Sequence, residues 1–215
     1  ILLFNSAFLL DERVNILGYY DKIHRVPFGE YVPGSKYFPW LVDWIGMGRD
    51  LTPGRAYTLF ELPKGGRAGV NICFEDVFPE ISRNFTLRGA NLLLTITNDS
   101  WYNESAGARQ HLSHVIFRAV ECRRPFLRSG NNSDTCMISP RGEILGVLKN
   151  EQTGSPFFAG TMRFELPVSD DWGDTFYTRY GNLFAFCCVI FTSGAVAVFF
   201  GSWFRQKRRQ LEAVS

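Results

Sequence analysis

Cys73 closes an apolar run, AGVNIC, and is followed by Phe74, Glu75 and Asp76 before a helix pattern that opens on Pro79. A thiol at a strand-to-helix turn lies on the carboxyl edge of a sheet. Backbone N–H groups and a helix N-terminus there favour negative charge on sulfur and on an oxyanion. That is a setting for a nucleophile. A lone cysteine ending an apolar strand is more often an inert core residue, and this feature alone favours that reading. A second cluster, Tyr20 to Pro33 (YDKIHRVPFGEYVP), puts Lys22 and Glu30 on proline- and glycine-broken backbone, where functional side chains concentrate. Taken singly, each also reads as a solvated surface charge. A third cluster, Asn98-Asp99-Ser100-Trp101-Tyr102, ends the next strand pattern and so shares an edge with Cys73, although Asn and Asp at such a place also serve as helix caps.

Other chemistries find less support. His111 and His114 form HxxH, without the i, i+4 spacing and glutamate of a zinc-protease helix, and no cysteine pair joins them. No metal and no cofactor are expected. GxSxG does not occur, so a serine-hydrolase elbow is unsupported. Five cysteines, two of them adjacent at Cys187 and Cys188, do not make a disulfide framework, though pairing of Cys122 with Cys136 is conceivable in an oxidising compartment. With 23 basic against 21 acidic side chains, a net charge of +2 argues against a nucleic-acid partner. A hydrophobic share of 46% excludes a disordered chain.

The elements that must position these groups follow from periodicity and turn residues. A strand pair opens the chain and ends near Gly18, and a loop rich in aromatics runs from Val26 to about Pro53. A strand over 68–73, a helix over 79–89 and a strand over 91–97 form a strand–helix–strand unit of the kind that gives parallel neighbours. A helix over 108–123 places Leu112, Val115, Ile116 and Ala119 on one buried stripe. Strand-like segments follow, with Pro140-Arg141-Gly142 turning a hairpin.

Leu183 to Phe204 is uncharged and uninterruptedly apolar. About 22 residues at about 1.5 Å rise span about 33 Å, enough for a bilayer's hydrocarbon core. Arg205, Lys207, Arg208 and Arg209 follow, whereas Asp170, Asp171 and Asp174 precede. The positive-inside rule therefore keeps the tail cytoplasmic and the body on the other face. The chain divides into a body (1–179), a transmembrane helix (180–204) and a basic cytoplasmic tail (205–215). A body outside the cytoplasm without a visible leader is reconciled if the chain is the C-terminal part of something longer.

The segments YDKIHRVPFGEYVP, NICFEDVFPE, TNDSWYNESAGARQHL and RAVECRRPFLRSGNN, in this order and with this tail, resemble the successive motifs of bacterial apolipoprotein N-acyltransferases, membrane members of the nitrilase (carbon–nitrogen hydrolase) superfamily. The resemblance implies an α/β fold, a nitrilase-like α-β-β-α sandwich followed by one C-terminal transmembrane helix. It implies a Glu–Lys–Cys triad facing the periplasm from the inner membrane, with Cys73 as nucleophile and Lys22 as the lysine. Glu30 matches a supporting loop glutamate, and Glu75 a carboxylate beside the nucleophile. Phe74, Asn98, Trp101 and Trp40 are candidates for substrate contact. The implied partners are a phospholipid acyl donor, an apolipoprotein acceptor and membrane lipid, the protein acting as a monomer.

The aromatic stretch around Phe38, Trp40, Trp44 and Ile45 reads either as a contact for acyl chains at the membrane surface or as ordinary packing. Three departures from the family pattern stand out. The triad glutamate belongs to a segment ahead of Lys22 and is not among these residues, so this stretch alone is expected to be inactive. Phe74 stands where tyrosine is frequent, and Ser133 where glycine is usual. Two other functions fit parts of the pattern: a nitrilase-type amidase acting on a small C–N substrate, and an inactive membrane-tethered binding module.

Overall fold

A computed structural model describes residues 2–165 and 168–212, which fall into two compact units, Ile1–Thr178 and Arg179–Ser215. The first unit opens on an antiparallel pair, β1 (Ser6–Leu10) and β2 (Ile16–Asp21), in register from Ser6 opposite Asp21 to Leu9 opposite Gly18, with the register shifting by one residue where Leu10 meets Ile16. Asp11 closes the connection: its carboxylate accepts the N–H groups of Arg13 and Asn15 and the Asn15 amide, each at 2.8 Å. The pair runs three residues past Gly18, so Lys22 emerges directly from a paired strand end. Its own N–H donates to the Asn5 carbonyl at 2.8 Å.

Within the loop from Val26 to Pro53, a short helix, α1 (Trp40–Ile45), ends at Gly46 in the left-handed region. The main sheet has six strands in chain order: β3 (Leu59–Leu62), β4 (Gly66–Ile72), β5 (Leu92–Asn98), β6 (Phe126–Asn131), β7 (Cys136–Ile138) and β8 (Ile144–Val147). The β4, β5 and β6 strands are parallel and the remaining neighbours antiparallel. β3 was not anticipated, because four residues are too few for alternation to declare itself.

Two helices supply the parallel crossovers. α2 (Pro79–Leu87) begins with proline at its first turn, where a missing N–H costs nothing, and the chain leaves it through Gly89 at φ +97°. α3 (Ala106–Cys122) is capped by the Ser105 hydroxyl, which accepts the Gly107 N–H, and stops at Arg123 in the left-handed region. Its buried stripe carries Leu112, Val115 and Ala119 as the periodicity requires, and also His111. α2 packs so tightly on β4 that a Cβ at Gly69 would overlap the Phe85 side chain. Tyr20, Phe85, Leu93, Val115, Phe126 and Ile138 are fully buried at the centre. Helices α2 and α3 cover the parallel strands, and the β1–β2 pair meets α2 through the Tyr20 and Phe85 rings, 5.2 Å apart, so the fold is of the α/β class expected.

Cys122 and Cys136 are both buried free thiols, so they do not pair; burial pushes each up to about 11. The second unit is built on α5 (Leu183–Glu212), preceded at the boundary by α4 (Phe176–Tyr180). Its 24-residue stretch Leu183–Gln206 is long and apolar enough to cross a membrane. In the basic tail, side chains from Lys207 onward lie outside the described residues.

Gly54 sits where the chain crosses the lysine strand: its N–H donates to the Lys22 carbonyl at 2.8 Å, and a Cβ would overlap the carbonyl of Asp21. Backbone cannot yield as a flexible side chain can. Gly54→Ala is therefore expected to cost about 1–3 kcal/mol or more in urea unfolding. A change within about 0.5 kcal/mol would contradict this packing.

Candidate active site

Three strand ends converge on one edge. β4 delivers Cys73, β5 delivers Asn98 and Asp99, and β6 delivers Asn131 to Ser133. The Asn131 amide bonds to the Asn98 side-chain oxygen at 3.0 Å. Cys73 is not the last strand residue but the first of a single turn, Cys73–Val77, and it adopts φ +51°. A non-glycine residue in that region costs of order 1 kcal/mol, and such strain persists only where the surroundings over-determine it.

Glu75 does much of that determining. Its Oε2 accepts the Ile72 N–H at 2.9 Å, while Oε1 accepts the N–H groups of Ile23 and His24 at 2.7 and 3.0 Å and the Tyr20 hydroxyl at 2.9 Å. Burial pushes its carboxyl above the usual range although all four donors pull it down. Glu75, two residues after Cys73, thus does not line the cavity. It joins the Lys22 segment to the Cys73–Val77 turn from behind.

Lys22 is 2% exposed and held by Glu30, with Nζ at 2.9 Å from Oε1 and 2.8 Å from Oε2. Glu30 also accepts the Asn5 amide at 3.0 Å and the Val26 N–H at 2.9 Å. Against the opposing effect of burial, the Lys22 ammonium and the Val26 N–H hold its carboxyl below the usual range. Lys22, Glu30 and Cys73 line one cavity of about 370 Å³, together with Val26, Gly29, Phe74, Asn98, Asp99, Trp101 and Tyr102. Three larger hollows, about 630 Å³ beside Gly54, about 660 Å³ beside Trp172 and about 490 Å³ beside Asp50, are lined by no cysteine. Chemistry rather than size marks the site.

Of the expected residues, the structure brings Cys73, Lys22, Glu30, Phe74, Asn98 and Trp101 to this cavity. Glu75 stands behind it. Trp40 is on α1 and does not line it. Packing does not account for the aromatic stretch either: Phe38, Trp40 and Trp44 are all exposed, Trp44 by 77%.

A buried charge network under the cavity went unread in the sequence. His111 lies between Asp76 (Nε2 to Oδ1, 2.8 Å) and Asp99 (Nδ1 to Oδ1, 2.9 Å). Arg128 Nη2 reaches the other Asp99 oxygen at 2.6 Å, as does the Ser133 hydroxyl, also at 2.6 Å. Ser133 is no gap in the pattern, since its hydroxyl also accepts from Arg128 Nη1 at 2.8 Å. Burial disfavours the imidazolium, yet the two aspartates raise His111 to about 9. Burial likewise opposes ionisation of Asp99, but His111, Ser133 and Arg128 bring it down to about 2. The available signals were a histidine on the apolar stripe of α3 and an arginine inside β6. Both ring nitrogens of His111 are occupied by aspartates.

A sequence model of the carbon–nitrogen hydrolase family matches residues 1–156. The chain belongs to the carbon–nitrogen hydrolase family. Among its relatives, the apolipoprotein N-acyltransferase of Geobacter metallireducens is 40% identical over 195 residues, 90% of this chain and 35% of that protein. The apolipoprotein N-acyltransferase of Thermotoga maritima is 34% identical over 206 residues, 96% of this chain and 38% of that protein. Apolipoprotein N-acyltransferase 1 of Treponema pallidum is 38% identical over 171 residues, 77% of this chain and 30% of that protein. The chain thus spans about a third of the length of the relatives it matches.

Two stability predictions follow from the buried groups of this carbon–nitrogen hydrolase. Because His111 is raised from 6.5 to about 9, its contribution is fully present below pH 6.5 and is lost as pH rises through 9. Asp99, lowered from 3.8 to about 2, contributes above pH 3.8 and loses that contribution as pH falls through 2. Urea unfolding at pH 6 and pH 9.5 should show wild type losing up to about 3 kcal/mol more than His111→Gln across that interval. Equal losses would refute it. Glu75→Gln turns an amide donor toward N–H groups and should destabilise by about 2–4 kcal/mol in the same assay; a neutral effect would remove Glu75 from its linking role.

Proposed function

We propose that this chain carries the acyl-transfer site of an apolipoprotein N-acyltransferase, anchored to the membrane by α5. What supports this reading above all is the meeting of Cys73, Lys22 and Glu30 around one opening whose other walls are largely apolar. The relatives' names point the same way.

The reaction proceeds in two transfers. The Cys73 thiol gives its proton to a carboxylate base, which the family resemblance assigns to a glutamate ahead of Lys22. The sulfur then attacks the ester carbonyl of a phospholipid. The tetrahedral oxyanion is stabilised by the Lys22 ammonium with a backbone N–H of the nucleophile turn, and Glu30 keeps that ammonium in place. Collapse breaks the ester C–O bond; the leaving oxygen takes the proton back and departs as lysophospholipid, leaving a thioester on Cys73. The α-amino group of a diacylglyceryl-cysteine then attacks the thioester, the C–S bond breaks, and the amine's proton returns to sulfur. One hard transfer becomes two easier ones.

Both substrates are lipids, which gives the exposed aromatics a use. Tyr37, Phe38, Trp40 and Trp44 would rest on the membrane interface, where aromatic rings partition favourably. Trp101, 82% exposed at the cavity mouth, would meet the acyl chain. With the basic residues after Phe204 kept on the cytoplasmic side, the site faces the periplasm of the inner membrane.

Incubated with phospholipid, the full-length protein should gain the mass of one acyl chain on Cys73, removable by hydroxylamine and absent in Cys73→Ala. Lys22→Met should slow its formation by about 10²–10³ while Cys73 stays in place. An amidase or an inactive binding module would acquire no acyl mass. Residues 1–215 by themselves are expected to form no adduct, and an adduct there would show that the base lies within them.

A further inference from the structure

The cavity is a gap between segments, so its width depends on what ties them together. Glu75 ties the lysine segment to the nucleophile turn. The opposite wall, Asn98 to Tyr102, has no such backbone tie. β4 and β5 pair up to Ile72 opposite Ile96, and among the described residues no backbone hydrogen bond joins 73–77 to 97–103 beyond that point. The link is made by side chains: Asp76 accepts the Thr95 hydroxyl of β5 at 3.1 Å, and the only tie to Asp99 itself among the described residues of the turn runs through His111 of α3.

We infer that His111 is the positioning residue of this site: bonded to Asp76 on one turn and Asp99 on the other, it fixes the distance between Cys73 and the wall formed by Asn98, Trp101 and Tyr102. Its ring also lies between two residues of the cavity wall, 6.4 Å from the Phe74 ring and 6.3 Å from that of Tyr102. A smaller hollow of about 140 Å³ behind them, lined by Phe74, Tyr102, His111 and His114, gives those walls room to move if the bridge is cut. The inference deepens the acyl-transfer reading and takes its acylation readout from it.

Charge balance gives the bridge its force. Asp99 has a second cation in Arg128, but the fully buried Asp76 carboxylate has only His111 as ionic partner among the described residues, with the Thr95 hydroxyl at 3.1 Å as its further donor. Arg118 donates to the backbone carbonyls of Asp76 and Val77 and spends its other nitrogens on Glu121, so it holds the turn without neutralising the carboxylate. The charged and titratable groups facing His111 are thus Asp76 from the nucleophile turn, Asp99 from the end of β5, Arg128 from β6 at 3.3 Å and Tyr102 from the opposite wall. Loss of the imidazolium proton leaves His111 one N–H for two buried carboxylates, so one aspartate loses its donor and the bridge is strongly destabilised. The two turns then part.

The test uses the full-length protein in detergent. Alkylation of Cys73 by N-ethylmaleimide at pH 7.5 is followed by mass spectrometry in wild type, His111→Gln and His114→Gln, alongside the acyl-adduct rate from pH 6 to 10. His111→Gln should change the alkylation rate several-fold and slow acylation by about tenfold or more, since small misplacements of reacting groups are costly. The wild-type acylation rate should fall above about pH 9, and His111→Gln should lose that limb. His114→Gln should match wild type.

Should His111→Gln not fold, the double variant His111→Leu, Asp76→Asn removes both partners, leaves no buried charge unpaired and still cuts the bridge; it should show the same change in alkylation. Folded variants that alkylate Cys73 as wild type does would overturn the inference. If wild type gains no acyl mass while the alkylation contrast holds, the acyl-transfer reading fails and the positioning role of His111 stands.

Discussion

One carboxylate holds the site in register. Glu75 accepts three backbone N–H groups from two segments far apart in sequence, Ile23 and His24 on one and Ile72 on the other. An unpaired buried N–H is costly, so once Glu75 is buried these donors must all reach it, and in reaching it they bring Lys22 and Cys73 to the same opening. Coulombic attraction between lysine and a thiolate could not do this alone, because it is non-directional and does not fix a backbone. The fixed backbone also explains how Cys73 stays at φ +51°: Ile72 before it is bonded to Glu75, and Asp76 after it is bonded to His111 and Thr95. Strain of that kind turns a side chain out of a sheet edge, where a strand residue would alternate into the core.

The polar groups behind the cavity obey the same accounting. Asp76, Asp99, His111 and Arg128 are all buried, two acids against two bases. An isolated one of these would be severely unfavourable, and together with Ser133, Thr95 and Thr97 they leave few bonding positions empty. Such a network contributes little net stability compared with an apolar core of the same volume. What it contributes is geometry: apolar side chains would permit several packings of the two turns, whereas directed bonds to two aspartates permit one.

How much of this was legible in the sequence depends on whether the signal was local. The strand–helix–strand unit around Cys73 and the stripe of α3 were readable because Pro79, Gly89 and the spacing of Leu112, Val115 and Ala119 act within a few residues. The meeting of Lys22, Glu30 and Cys73 came from resemblance, since their separation in sequence says nothing about distance. Glu75 was expected beside the nucleophile and stands behind it, because sequence adjacency does not give side-chain direction in an irregular turn. The pairing partners of His111 were hidden for a different reason. HxxH poses a question about metals, and its answer lies in Asp76 and Asp99, which are 35 and 12 residues away. β3 and α1 are too short for periodicity to mark them.

A site that transfers an acyl group rather than hydrolysing it must make an amine, not water, the better second nucleophile. Neither Lys22 nor Glu30 can make that choice, since the roles proposed for them are the same for either acceptor. The choice falls to the walls. Phe74 carries no hydroxyl that could hold water beside the sulfur, and it is packed edge-on against Phe78 with ring centroids 5.6 Å apart. Trp101 and Tyr102 close the other side. On the proposed acyl-transfer reading, an acyl chain lying against those rings would leave the thioester in an apolar surround, where water is scarce and a lipid-borne amine would already be concentrated by the membrane. On that reading the apolar cavity and the candidate membrane-spanning helix would do one job, since each would raise the amine's effective concentration at the sulfur relative to that of water.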